Sequence, residues 1–353
     1  MPTLDDVAKA AGVSRGTVSN VFNRPDVVRA ELRERVHAAA RSLGYGGPDP
    51  KGRLLKEGRF NALGFVPPGA YAISEVLQSP YGRELILGAA QACDEAGATL
   101  SLIHGSNEKR VRSIGEALVD GFILGTSADV ETIRSAQRRR LPFVLLDSDV
   151  GPDVSSIRID GRAGAIAAAR HLAGLGHRRF AILSVRRTAG PPVAHPVTGT
   201  PRDLQHGFAL DRVRLRGFRD ALAEAGLSLD DMYLLETTPG DPTAGSALFD
   251  NCPDVTAVLC MSDWQAVTIL DEAARRGIGI PEDVSVVGFD GTEAAARSLP
   301  PLTTVAHDIV GKARLAAEMI LAAAPPRQIV LPVELVVRGS TAHVRGTPEN
   351  AAP

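Results

Sequence analysis

Residues 3–23 read TLDDVAKAAGVSRGTVSNVFN. Thr3, with Asp6 three residues on, opens a helix to Ala11, since Leu4, Val7, Ala8 and Ala11 recur at the spacing of one apolar helical face. Gly12 ends it, and Ser14 is a natural N-cap for a second short helix. There Val18, Val21 and Phe22 form the apolar side, while Arg15, Gly16, Ser19 and Asn20 point elsewhere, and Asn23 to Pro25 stops the helix. A third helix is predicted from about Arg29 to Leu43, with Leu32, Val36, Ala39, Ala40 and Leu43 inward and Gly44 as its stop. Residues 1–45 therefore form a small all-α module. Its second helix suits the reading position of a helix-turn-helix, whose N-terminal side chains reach base edges in the major groove. Arg15 can donate two hydrogen bonds to guanine and Asn20 can pair with an adenine edge, with Gly16 beside them. Thr3, Thr17, Ser19 and Asn23 suit phosphate contacts, which set register without reading sequence. The same pattern also describes a three-helix cap with a merely solvated polar face.

Residues 46–60, GGPDPKGRLLKEGRF, are rich in Gly, Pro and charge and read as a linker. From Asn61 onward short apolar runs alternate with helical stretches: ALGFV, TLSLI, GFILG and FVLLD, then IRID, FAIL, YLLE, AVLC and VSVVGFD. That rhythm predicts parallel, doubly wound sheets, with enough chain for two. The expected body, residues 61–345, is thus two α/β lobes with a cleft between them. Lobe 1 is assigned to about 61–158 and 291–322, and lobe 2 to about 159–290 and 323–340, leaving 346–353 as a tail. Ligands of such sheets bind at the carboxyl ends of strands, which focuses attention on the loops there.

Composition agrees. The chain has 353 residues, 44% apolar and 23% charged, which excludes disordered, collagenous and disulfide-framework classes. Three scattered cysteines, Cys93, Cys252 and Cys260, fit neither a disulfide network nor a four-ligand zinc site, so no metal and no cofactor is expected. The N-terminus lacks a basic cap followed by an apolar run, and no stretch has the length of a membrane span, so a cytoplasmic location is expected. Residues 1–60 hold eleven Lys/Arg against seven Asp/Glu, a net +4, which leaves −6 on the remainder. A basic module joined to a mildly acidic body can meet nucleic acid with one end.

The N-terminal string, followed by RERVHAAARSLGY, closely resembles the headpiece of the lactose-repressor (LacI) family of bacterial transcription regulators. The resemblance continues in family order through LGFV (63–66), DGFILG (120–125), HLAGLGHRRFAIL (171–183), RLRGFRDAL (214–222), PEDVSVVGFD (281–290) and PPLTTV (300–305). It implies a periplasmic-binding-protein-like body, a homodimer and a near-palindromic DNA operator. It further implies a small polar effector, such as a sugar, bound between the lobes and changing operator affinity. In this family the linker forms a hinge helix whose leucine wedges into the minor groove. The resemblance makes Leu55 that wedge and Arg53 a groove or phosphate contact, and wedging of this kind is offset by the contacts that bent DNA permits. Gly52 departs from the family pattern and lowers helicity by about 1 kcal/mol. A leucine packed against the body is the competing reading of Leu55.

By the same resemblance Arg214 and Asp290 contact the effector, and Asp160 and Ser262 lie at ligand positions. Independently, a guanidinium and a carboxylate converging from two loops can hold several hydroxyls. Asp160, Asp263 and Asp290 each precede a helix and can equally serve as N-caps. Tyr71 and Tyr81 stand where the family often offers aromatic faces. Some 25 residues between Val185 and Arg214 form a loop far longer than usual, read as a lid or extra effector contact through Arg186, Arg187, His195 or His206. A P-loop, a G-x-S-x-G elbow and a metal-spaced His/Cys cluster are all missing, which argues against an enzyme. A solute receptor without DNA function is the alternative that the headpiece disfavours.

Overall fold

The computed structural model describes residues 2–47, 58–67, 72–103, 107–125, 129–148, 151, 153–186, 190–195 and 209–345. Contacts divide the chain into two units at Phe60/Asn61. The first holds α1 (Leu4–Ala11), α2 (Arg15–Asn23), a 3-10 turn (Pro25–Val27) and α3 (Ala30–Leu43). Thr3 and Asp6 cap α1 reciprocally, the Asp6 carboxylate accepting from the Thr3 N–H at 2.8 Å and the Thr3 hydroxyl accepting from the Asp6 N–H at 3.3 Å. Ser14 accepts from the Thr17 N–H at 3.0 Å and starts α2. Val7, Val18, Val21 and Val36 are buried at the centre, each worth about 1.5–3 kcal/mol, and Phe22, His37 and Tyr45 meet edge to face at one margin.

The second unit is built from two sheets. The first half of its chain runs β1 (Ala62–Val66), α4 (Ile73–Gln78), α5 (Pro80–Ala96), β2 (Thr99–Leu102), α6 (Asn107–Glu116), β3 (Gly121–Leu124), α7 (Val130–Arg138), β4 (Phe143–Leu146) and β5 (Ser155–Ile159). Next come α8 (Gly161–Gly174), β6 (Phe180–Val185), β7 (Val193–His195), α9 (Ala209–Glu224), β8 (Tyr233–Thr237), α10 (Ala244–Asn251), β9 (Ala257–Cys260), α11 (Asp263–Arg276) and β10 (Ser285–Asp290). The chain then forms α12 (Glu293–Arg297), β11 (Thr303–Ala306), α13 (Ile309–Leu321), β12 (Gln328–Leu331) and β13 (Glu334–Val336). Strand order is β12-β5-β4-β3-β1-β2 in lobe 1, all parallel, and β13-β11-β10-β9-β6-β8-β7 in lobe 2, parallel but for the two edge strands. Within each lobe the first five parallel strands follow the doubly wound order 2-1-3-4-5, so β4 and β10 are equivalent fourth strands.

Two lobe boundaries differ from expectation. Thr303–Ala306 pairs with Val287–Asp290 and belongs to lobe 2, while Gln328–Leu331 pairs with Ser156–Ile159 and belongs to lobe 1. The chain therefore passes between lobes three times, near 159–161, 306–309 and 331–334. Alternating apolar residues identify a strand, but the sheet it joins is decided by distant partners. The stretch 338–345 ends under lobe 2, where the buried Ser340 hydroxyl donates to the Val286 carbonyl and accepts from the Thr303 N–H at 2.8 Å.

The helices after two of these crossings repeat one packing device. On α5, a side chain at Gly88, the ninth residue, would strike the Val310 carbonyl of α13. On α9, one at Gly217, again the ninth residue, would sit 2.7 Å from the Arg162 carbonyl of α8. Each lobe thus seats the helix of its first strand tightly against the helix that has just crossed over. From the long 186–211 loop, the short β7 adds antiparallel to β8 at the sheet edge, with His195 3.8 Å from Glu236. Arg187 and His206 lie outside the described residues, and Arg186 turns back to the Pro191 carbonyl.

Candidate nucleic-acid interface and effector cleft

On the headpiece the apolar side of α2 is consumed by the core, so its opposite side is left to solvent. Arg15 and Asn20 are exposed, with Arg15 3.6 Å from Asp5 across two exposed side chains, an ion pair too weak to hold it from a stronger partner. Gly16 is exposed, and a side chain there would make only ordinary contact with Ser14 within the protein. Thr17 shares a 2.9 Å hydrogen bond with Ser14, Thr3 caps α1, and Asn23 donates to Ser19 at 3.2 Å. These four polar side chains are thus positioned by local bonds around an exposed Arg15–Asn20 edge. Arg53 and Leu55 lie outside the described residues.

In the body, the strand ends of both lobes converge on a buried polar cluster. Arg214, early in α9, is 4% exposed; its guanidinium donates to the Met261 carbonyl, lies 3.6 Å over the Phe289 ring and stands 3.6 Å from Asp290. Asp290 ends β10 with φ 123°, a conformation that L residues rarely adopt and that surrounding structure must enforce. Asp263 supplies that enforcement. Its buried carboxylate accepts from the Thr292 N–H at 2.7 Å, the Thr292 hydroxyl at 3.0 Å and the Thr304 hydroxyl, tying α11 to the turn after β10 and to β11. Burial pushes the carboxyls of Asp290 and Asp263 up to about 7 each, against the pull of Arg214 on Asp290 and of the threonine hydrogen bonds on Asp263.

Lobe 1 contributes Tyr81, whose hydroxyl donates to Asp147 at 3.0 Å, and Lys312, which donates to Asp147 at 2.6 Å and to the Tyr81 oxygen at 2.9 Å. Burial raises the Asp147 carboxyl, but the charge and hydrogen bond of Lys312 bring it below the ordinary carboxylate range. His307 lies between the lobes, 3.9 Å from Asp290 and edge-on to Tyr81 at 6.2 Å. The structure thus brings Arg214, Asp290 and Tyr81 into one cluster. Asp160 and Ser262 cap their helices, accepting from the Ala163 N–H at 3.0 Å and the Gln265 N–H at 3.2 Å, and Asp160 is exposed. Tyr71 lies outside the described residues.

Asp147, Lys312 and His307 are cluster members that sequence reading missed. Lys312 had a signal: with Ile309, Ala313, Ala316 and Ile320 it falls on the inward side of its helix, where a cation is out of place. Among the described residues no group of three or more His, Cys, Asp and Glu side chains could hold a metal ion, and no helix is long and apolar enough to cross a membrane.

Comparison with known proteins identifies both parts of the chain. Residues 3–47 match the model for bacterial regulatory proteins of the lacI family, and residues 169–341 match the periplasmic binding protein-like domain. An HTH-type transcriptional regulator of Mycobacterium tuberculosis is 36% identical over 356 residues, covering 96% of each chain. The structure of a CelR–cellobiose complex is 29% identical, covering 96% of this chain and 100% of its own, with TM-score 0.66. That of the lac repressor dimer bound to operator and an anti-inducer is 26% identical, covering 97% and 99%, with TM-score 0.73. With a headpiece that exposes a DNA-reading helix and a two-lobed body that buries a polar cluster at its strand ends, the chain belongs to the lacI family of bacterial transcriptional regulators.

Proposed function

We propose that the protein is a repressor that binds a near-palindromic operator as a homodimer and responds to a neutral polyhydroxylated effector, such as a sugar, held between its lobes. The carrying observation is the Arg214–Asp290 pair: a buried guanidinium and carboxylate 3.6 Å apart, beyond hydrogen-bond length, on a backbone held in a rare conformation. A ligand hydroxyl that accepts from Arg214 and donates to Asp290 satisfies both. The cellobiose held by the CelR relative supports a sugar. Tyr81 forms part of the opposite wall, Tyr71 is a further aromatic assigned to the effector, and Asp160 and Ser262 shape the rim by capping their helices. Effector occupancy biases the interlobe angle, and with it the hinge linker, by a coupling of about 1–3 kcal/mol that must be reciprocal. Such a regulator works in the cytoplasm, beside its DNA, and performs no catalytic step.

On the headpiece, Arg15, Gly16 and Asn20 face bases; Thr3, Thr17, Ser19 and Asn23 face phosphates; Leu55 is the minor-groove wedge with Arg53 beside it. Selection of bound duplexes from a random library by the full-length protein tests this. Enrichment of a near-palindrome is expected, with Arg15→Ala relaxing one position per half-site by about 1–3 kcal/mol and Leu55→Ala weakening the central step. Absence of any enrichment at low salt, with and without cellobiose, sinks the repressor reading.

A further inference from the structure

Trp264 is the one tryptophan of the chain, and it opens α11 at the strand ends of lobe 2. The turn that carries it also holds both members of the polar pair: the Met261 carbonyl accepts from Arg214, and the Asp263 N–H donates to the Asp290 carboxylate. Two buried side chains fix that turn. Asp263 is tied to Thr292 and Thr304, while Gln265 donates to the Ser184 carbonyl at 3.0 Å and to the Thr237 hydroxyl at 2.8 Å, at the ends of β6 and β8. Trp264 stands between them in sequence and is only half-buried.

Gly240 backs the indole. It is the third residue of a turn closed by the Asp241 N–H donating to the Thr238 carbonyl at 3.0 Å, and its φ is 79°. A side chain at Gly240 would strike the six-membered ring of Trp264, so the backbone lies directly against that ring. The fold does not demand an aromatic residue at this point. In lobe 1 the helix after the equivalent third strand, α7, likewise starts from a capping residue, Asp129, and its second residue is Glu131, exposed and paired with Arg138 at 2.7 Å. In lobe 2 the second residue of α11 is Trp264. A rigidly mounted, half-exposed indole on the turn that holds a polar pair has the make-up of a sugar site. Hydroxyls go to the charged groups, and the C–H face of the ring goes to the electron-rich face of the aromatic.

We propose that Trp264 is a specificity-determining residue of the effector cleft: its indole receives the C–H face of a sugar ring, so that the site selects cyclic sugars over open-chain polyols. A polyol offers Arg214 and Asp290 the same hydroxyls, but it has no flat face and loses more conformational freedom on binding. This inference deepens the reading of the cleft as the effector site and rests on it.

With a single tryptophan in the chain, indole emission reports on position 264 alone. The full-length protein is titrated with cellobiose, glucose and ribose, and with sorbitol and ribitol as open-chain polyols, binding being followed independently as a thermal shift. A sugar that binds is expected to change the emission, and the polyols to bind at least about tenfold more weakly than the best sugar. Both readouts use the unaltered protein. Trp264→Phe should keep the affinity within about threefold, and Trp264→Leu should lower it by about tenfold. A thermal shift without a change in emission, equal binding of the polyols, or undiminished affinity in Trp264→Leu overturns the proposal. Arg214→Ala separates the two levels. If it abolishes a sugar's thermal shift while Trp264→Leu binds as before, the cleft is the site and only the role of Trp264 fails. If the shift survives Arg214→Ala, or no sugar produces one, the cleft reading itself is wrong and this inference falls with it.

Discussion

Lobe 1 follows its fourth strand with Asp147, and lobe 2 ends its fourth strand on Asp290. Both aspartates have positive φ, 51° and 123°, and both meet a cation in the buried cluster at the strand ends. The cation is supplied differently. In lobe 1 it is Lys312, the fourth residue of the crossing helix α13, hydrogen bonded to Asp147 and Tyr81 with both charges at most 1% exposed. In lobe 2 the fourth residue of the crossing helix α8 is Gly164, and a side chain there would meet Val305 at 2.5 Å and Phe289 at 3.0 Å. Val305 and Phe289 thus leave no room for a side chain at that position, and Arg214 reaches over the Phe289 ring from the lobe's own helix. One backbone plan yields a closed ion pair on one wall and an open pair on the other. A binding cleft needs both, one wall to hold shape and one with hydrogen-bonding capacity left for a ligand.

Breaking the closed pair has the largest expected effect. Lys312→Met strands the Asp147 carboxylate in the interior and lowers unfolding free energy by about 3–5 kcal/mol in denaturant titration, while Lys312→Met with Asp147→Asn recovers most of it. Recovery distinguishes a stranded charge from a packing defect. The two aspartates should next differ in the sign of their pH dependence. Asp290 titrates near 7 when folded and near 3.9 when unfolded, so its contribution falls as pH rises between those values and is constant above them. Asp290→Asn should flatten that decline, by about 1 kcal/mol for each pH unit within the window. Asp147 is shifted the other way, so its contribution is full above about 3.9 and is lost as pH falls through its lowered folded value. Asp147→Asn is therefore most damaging at neutral pH. Parallel pH profiles for the two variants would erase the distinction between the walls. The smallest effect is expected from Gly164→Ala, where crowding of Phe289 and Val305 slightly outweighs the helix propensity gained, a net loss of about 1 kcal/mol with weakened effector response.

Local chemistry explains what could be read in advance. The Thr3 and Ser14 caps, the Gly12 and Gly44 stops and the apolar spacing of Val7, Val18 and Val36 act within a few residues, so the headpiece helices were legible, although Leu43, expected inward, is 39% exposed at the end of α3. The apolar runs of the body were legible for the same reason. Assignment of β11 and β12 to their sheets was not legible, because TTVA and QIVL would suit either sheet and register is decided by partners more than a dozen residues away. In the cleft, Arg214, Asp290 and Tyr81 were all reached through resemblance. Asp160 was reached the same way, and it caps α8 as Asp308 caps α13. His307 carried no local signal, for its meaning depends on groups brought to it by two lobes.

The threefold passage of the chain between lobes also bears on how the protein is made. Lobe 1 lacks α13 and β12, which cover Leu85, Ala89 and Cys93 and complete its sheet, until residues 309–331 have emerged from the ribosome. The five parallel strands of lobe 2, by contrast, are nearly contiguous in the chain and end at Ala306. At about 5–20 residues per second, the 150 residues from the end of β5 to the start of α13 take roughly 8–30 s to synthesise. For that interval the earlier-made lobe is the unfinished one, with an apolar helix face uncovered while its successor folds. A ribosome stalled when residue 306 has just left its exit tunnel would thus display a complete central sheet in lobe 2 and a half-built lobe 1.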